Sequence, residues 1–151
     1  MSRPAFPLTS PPVAILRLVS AENVEIVRRT CEAYARGDWA AAAEPLHPEI
    51  LWDASTYTAW PESPTFRGKD GVLDFFRRFL GTWDEYEVSF EEFIDLGDVV
   101  IAIALDRGVG KVSGVEVTRR FAQVWTMKDG QAIAWTAYPD RESALAAVNA
   151  A

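Results

Sequence analysis

The sequence predicts an α+β domain: helices packed on one face of a curved, mostly antiparallel sheet. Three observations carry this reading. Apolar residues recur at helical spacing early in the chain, at Val24, Val27, Cys31 and Tyr34, and again from Val72 to Leu80. Past Trp83 the period falls to two, as at Tyr86, Val88 and Phe90, which is the spacing of strands. Helical patterns therefore come first and strand patterns follow, a segregation that puts helices on one face of an antiparallel sheet. A curved sheet closed over by helices makes a cone with an apolar mouth. The length of 151 residues fits one such domain.

Each element has its own local signal. Residues 1–19 carry Pro4, Pro7, Pro11 and Pro12 and are expected to form a flexible arm. The stretch "VAILRLV" within them is short and interrupted by Arg17, and no run is long enough to span a bilayer. The folded domain is expected over 20–151, with Ser20 as cap of the first helix and Gly37 as its stop. Asp38 caps a second helix, "WAAAAEPL", ended by Pro45 and Pro48. "EILWDAS" reads as a strand, followed by an irregular loop with Pro61 and Pro64. "GKDGVLDFFRRFLGTW" is a third helix with a broad apolar stripe from Val72 to Leu80, closed by Gly81. Four strands follow. The second and third are separated by the glycine-rich "RGVGKVSG", and the last two by a hairpin at Asp129-Gly130. "DRESALAAVNAA" is a closing helix capped by Asp140.

Composition narrows the chemistry. A net charge of −7 disfavours phosphate backbones, so nucleic acid is not an expected partner, and neither is a membrane. The three Arg-Arg pairs each lie near acidic residues and read as solvated faces. A single cysteine, Cys31, makes no intramolecular disulfide and points to a buried thiol in a cytoplasmic protein. The single histidine, His47, sits in "LHPE" as a surface or hydrogen-bonded residue, so no metal site is expected. "GVGK" lacks the phosphate-loop spacing and a following helix. No cofactor is expected. Six Trp and eight Phe exceed what a minimal core needs and point to an aromatic-lined pocket.

Four stretches, "AYARGDW", "LHPEILWD", "FRGKDGVLDFF" and "VWTMKDGQAIAWTAYPDRESAL", give the chain a layout that resembles the SnoaL-like domains. These belong to the nuclear transport factor 2-like, or ketosteroid isomerase-like, superfamily, and the resemblance spans Ser20 to Val148. It implies the cone fold and a small-molecule pocket, but not one activity, because the superfamily holds isomerases, cyclases, epoxide hydrolases, dehydratases and domains that only bind.

The resemblance can be carried over residue by residue. Asp53 in "LWDAS" is similar in position to the isomerases' general base, and Trp52 and Trp60 flank it. The isomerases' oxyanion tyrosine would fall near Thr30. Tyr34, one turn later, substitutes for it only if it points inward. The cyclases' acid after a strand tryptophan is replaced by Thr136 and Ala137 after Trp135. The hydrolases' Arg and Asp have an echo in Asp106 and Arg107, but neighbours on a strand face opposite sides. Alternation likewise groups Leu51 with Asp53 and sets Trp52 on the other face, so Asp53 enters the pocket only with Leu51. On the long strand it groups Arg119, Phe121, Gln123 and Trp125, without saying whether that face lines the cavity.

The expected ligand-lining residues are Tyr34, Trp52, Tyr57, Trp60, Phe79, Trp83, Trp125 and Trp135. Two functions stay open. One is a cofactor-independent isomerase, cyclase or hydrolase of a small apolar organic ligand, with Asp53 as proton shuttle. The other is a non-catalytic ligand-binding or dimerisation module. Apolar residues on both faces of "VVIAIAL" and "FAQVWTM" point to a homodimer through the sheet.

Overall fold

Why the cone forms is visible in how its ends are tied. The computed structural model describes residues 13–54 and 65–150. Helix α1 runs Val13–Ala35, α2 Trp39–Ala43, strand β1 Leu46–Asp53, β2 Thr65–Arg67 and α3 Gly68–Leu80. Then follow β3 Trp83–Asp95, β4 Val99–Gly110, β5 Glu116–Lys128, β6 Gln131–Tyr138 and α4 Arg141–Ala150. The described strands form one sheet in the order β2-β1-β6-β5-β4-β3. Only the β1–β6 pairing among these is parallel. The architecture is α+β, an open curved sheet packed against helices, as the helix-then-strand order predicts.

The local signals mostly act where the sequence puts them. At the end of α1 the Gly37 amide donates to the Tyr34 carbonyl and the Asp38 amide to the Ala33 carbonyl. Gly37 itself has φ +80°, so the pattern is a Schellman stop that favours glycine. Asp38 accepts from the Ala41 amide at 3.2 Å and Asp140 from the Ser143 amide at 2.7 Å, capping α2 and α4. Asp129 and Gly130 both take positive φ in the β5–β6 hairpin. In α3, Val72, Phe75 and Phe79 are buried, while Phe76 and Leu80 pack partly buried against the core.

Two expectations are corrected. Helix α1 does not start at Ser20; it is already helical at Val13. Ser20 instead hydrogen-bonds Asp95, and Asn23 donates to the Gly97 carbonyl at 3.0 Å, so α1 is pinned from its second turn onward to the β3–β4 turn. The described residues before it, Val13, Ile15 and Leu18, are exposed. The segment between β1 and α3 is not wholly irregular, since β2 pairs with β1 from Thr65 to Arg67. Three residues carry too little alternation to be read as a strand. The outer apolar face of the sheet carries α4. Ile101, Ile103, Ala122 and Val124 are buried with Ala144 of α4, with Leu145 and Val148 packed alongside. The helix covers the stripe that pointed to a partner. No helix of the described residues is long and apolar enough to cross a membrane.

Candidate functional site

The other face of the sheet, with α1, α2 and α3, encloses a cavity of about 60 Å³. Strand alternation decides what enters it. On β1 the buried set is Leu46, Ile50 and Trp52, and of these Leu46 and Trp52 line the cavity. On β5 the lining face carries Phe121, Gln123 and Trp125. Trp135 enters from β6, directly opposite Trp125 in the ladder.

These aromatics form one stack-and-edge cluster. The Trp52 and Trp135 rings lie parallel with centroids 4.1 Å apart, and Trp125 meets Trp52 edge-on at 5.9 Å. Phe76 meets Trp52 at 5.3 Å and Tyr34 at 4.9 Å, and Tyr34 meets Trp39 at 5.3 Å. Trp39 and Leu73 are exposed, which marks the opening between α2 and α3. The Trp52 and Trp135 indole nitrogens are buried without a hydrogen-bond partner, so neither is presented to the cavity.

A buried polar cluster adjoins the cavity at Tyr86. Asp106 on β4 and Arg119 on β5 are direct cross-strand partners. The Arg119 fork donates to the Asp106 carboxylate at 3.0 and 2.7 Å, a bidentate pair. Asp106 is 1% exposed. Tyr86 of β3 donates to its Oδ2 at 2.7 Å, and Tyr86 lines the cavity. Tyr34 reaches in from α1 and lines the cavity as well. Burial pushes the Tyr34 phenol well above its ordinary value; the neighbouring Tyr86 hydroxyl opposes that shift. Gln123 is 7% exposed and accepts from Trp125 Nε1 at 3.0 Å and from Cys31 Sγ at 3.8 Å. Burial, with Glu32 nearby, also pushes the Cys31 thiol up, so it stays protonated.

The expected site residues divide clearly. Tyr34, Trp52, Phe79, Trp125 and Trp135 line the cavity. Tyr57 and Trp60 lie outside the described residues. Trp83 does not line it. Its ring packs behind, against Phe79 and Tyr86, with the Arg119 guanidinium 5.5 Å from its centroid. The close approach needs Gly108, where a Cβ would stand 2.6 Å from the Trp83 ring. Asp53 is on the face of β1 opposite Trp52, away from the lining, with Thr65 Oγ1 3.5 Å from its carboxylate. Tyr34 does point inward. Arg107 faces outward, as alternation requires, among Glu85, Glu87 and Glu116. Asp106 finds its arginine at 119 instead, and the signal for that was strand register rather than adjacency. Tyr86 and Gln123 went unassigned although both lay on alternating faces already legible in sequence.

A profile of the SnoaL-like domain family matches residues 27–135. The chain belongs to that family. Solved structures agree on the fold. A nuclear transport factor 2-like protein from Burkholderia thailandensis is similar at 27% identity and TM-score 0.72, over 83% of this chain and 96% of that one. TerC, co-crystallised with polyporic acid, is similar at 21% identity and TM-score 0.69, over 86% of this chain and 99% of that one. A protein with a ketosteroid isomerase-like fold from Catenulispora acidiphila, in complex with trimethylamine, is similar at 16% identity and TM-score 0.65, over 81% and 90%. No curated protein sequence matches the chain significantly.

Proposed function

We propose that this SnoaL-like domain binds a small, mostly apolar organic molecule of about one aromatic ring in the cavity between α1, α3 and the sheet. The observation that carries the reading is the enclosed aromatic lining around Trp52, Trp125 and Trp135, into which only a few polar side chains such as Tyr86 and Gln123 enter. Such a site gains affinity from apolar burial and orientation from a few fixed polar groups. Two relatives of this fold hold polyporic acid and trimethylamine, so the scaffold accepts unlike small molecules. The room present, about 60 Å³, is less than the roughly 150 Å³ of an engineered cavity that takes benzene. A ring therefore enters by displacing lining side chains, with Phe76 and the exposed Trp39 nearest the opening.

Tryptophan fluorescence tests this. Single-ring aromatics are expected to change the emission saturably, and Ala42→Leu, which fills the lining, is expected to abolish the change while leaving the urea midpoint intact. Non-saturable changes that survive Ala42→Leu would overturn the reading.

Catalysis with Asp53 as proton shuttle is the finer proposal, and it needs a ligand that reaches the Leu51 face of β1. Asp53→Asn separates the two: it leaves binding unchanged, and abolishes turnover of enolisable ketones or epoxides only if Asp53 is the base. A sheet-mediated homodimer would use the outer face beyond α4, where Arg107, Arg120 and Glu116 lie. Light scattering at micromolar concentration tests it, and a monomer mass would sink it.

A further inference from the structure

Charge enters the cavity at one place. Of the described residues that line it, one carries a formal charge, Lys69, and none is a carboxylate. The chain as a whole is acidic, with a net charge of −7, so a cation here does not simply follow composition. Lys69 stands in the first turn of α3, four residues before Leu73, so the two share one face of the helix. Leu73 and Trp39 are exposed and mark the opening, and Lys69, half-buried, stands at the same rim.

Helix stability does not account for that position. The N-terminal end of a helix carries partial positive charge, so a lysine in the first turn is disfavoured there. Arg67, at the N-cap of α3, supplies no capping hydrogen bond. Asp70 offsets part of the positive end, but it is exposed, and Asp74 pairs with Arg78 at 3.2 Å. Lys69 makes no ion pair among the described residues. Helix end and ammonium therefore add up to a positive potential at the rim, beside an aromatic lining with no other charge.

Resting on the binding reading above, we propose that the ligand is an aromatic monocarboxylate that enters ring first. The ring goes towards Trp52, Trp125 and Trp135, and the carboxylate stays at the rim on the Lys69 ammonium. The free room of about 60 Å³ does not take a ring and a solvated carboxylate together, which fits this division. At the rim the carboxylate keeps part of its water, so no unpaired charge has to be buried inside. A cationic ligand meets repulsion at Lys69, and a neutral one gains nothing from it.

The test uses benzoate, benzamide and benzamidine with the full chain, one shape carrying a negative charge, none and a positive charge. Binding is read by tryptophan fluorescence and by ligand-observed NMR. Benzoate is expected to bind about five-fold tighter than benzamide, the scale of one partly exposed ion pair, and benzamidine weakest of the three. Added salt is expected to shrink the advantage of benzoate. Lys69→Gln is expected to remove that advantage and Lys69→Arg to keep it. The wild-type ranking stands as a test even if a variant fails to fold. If the three bind equally, if benzamidine binds tightest, or if Lys69→Gln leaves the ranking as it was, the proposal is overturned and the apolar binding reading survives. Benzoate binding that persists in Ala42→Leu would be ion pairing at the surface and would overturn it too. If none of the three binds saturably, the binding reading falls and this inference falls with it.

Discussion

Asp106 and Arg107 are consecutive on β4, yet the two faces of the sheet use charge in opposite ways. On the inner face Asp106 is almost fully buried, with one bidentate arginine, one phenol and an aromatic wall behind them. On the outer face Arg107 shares itself among three glutamates, at 3.2 to 3.9 Å, all of them exposed. The inner pair has given up water and depends on its partners; the outer cluster still has water as an alternative. Buried charge is therefore structural and directional here, while exposed charge covers the surface.

The sharpest way to break the comparison is Arg119→Leu. It leaves Asp106 buried without its cation, and a cost of about 3–5 kcal/mol is expected from removing one partner of a buried pair. Urea denaturation measures it. Replacing Asp106 and Arg119 together by Leu is expected to recover much of that loss, because the penalty lies in the orphaned charge. A double variant as unstable as the single one would show the pair itself to be strongly stabilising. Next in size is Gly108→Ala. The added Cβ meets the Trp83 ring at 2.6 Å, so either the ring or β4 must shift, at about 1–3 kcal/mol by the usual cost of overpacking. An unchanged urea midpoint would mean that Trp83 swings aside freely.

How far this was legible in the sequence follows from what sets each feature. Caps and stops are local, so Gly37, Asp38, Asp140 and the Asp129-Gly130 hairpin could be read from a few residues each. Strand parity is nearly local: it grouped Leu51 with Asp53 against Trp52, and Arg119 with Gln123 and Trp125. Which group faces inward depends on where the helices pack, and that is a long-range fact. Asp53 sits on the outward group for this reason. The partnership of Asp106 with Arg119 depends on register across a turn of uncertain length, where Gly110 closes onto Val115. β2 was missed because a three-residue strand has no period. The covering of the outer stripe by α4 was missed because that helix carries only a weak apolar face.

The inner face should also show itself at alkaline pH. Burial raises both the Cys31 thiol and the Tyr34 phenol above their ordinary values of 9.0 and 10.0. In the unfolded chain these groups release protons near those values, whereas in the folded chain they hold them. The unfolded state then binds fewer protons, so stability is whole below pH 9 and falls as pH rises through 9 and 10. Melting temperature followed from pH 8 to 11 is expected to drop, and Tyr34→Phe is expected to flatten the upper part of that drop. An identical slope in the variant would remove Tyr34 from the account. A smaller effect is expected from deletion through Leu18. The first anchors of α1 are Ser20 and Asn23, and Val13, Ile15 and Leu18 are exposed, so the melting temperature should move little. A loss of many degrees would show that this turn of helix has a partner.

The smallest effect is expected at Arg107. Its guanidinium touches Glu85, Glu87 and Glu116, a tally that looks more impressive than the single carboxylate of Arg119. Each of those glutamates is well exposed, so removal of the arginine returns them to water rather than stranding them. Arg107→Ala should leave the urea midpoint unchanged within error at physiological salt. At low salt a slight loss should appear, as the three like charges on β3 and β5 are no longer screened or neutralised. If Arg107→Ala instead matched Arg119→Leu, the division between the two faces would be wrong. The outer cluster would then have to be treated as a cooperative network whose members are as interdependent as the buried pair.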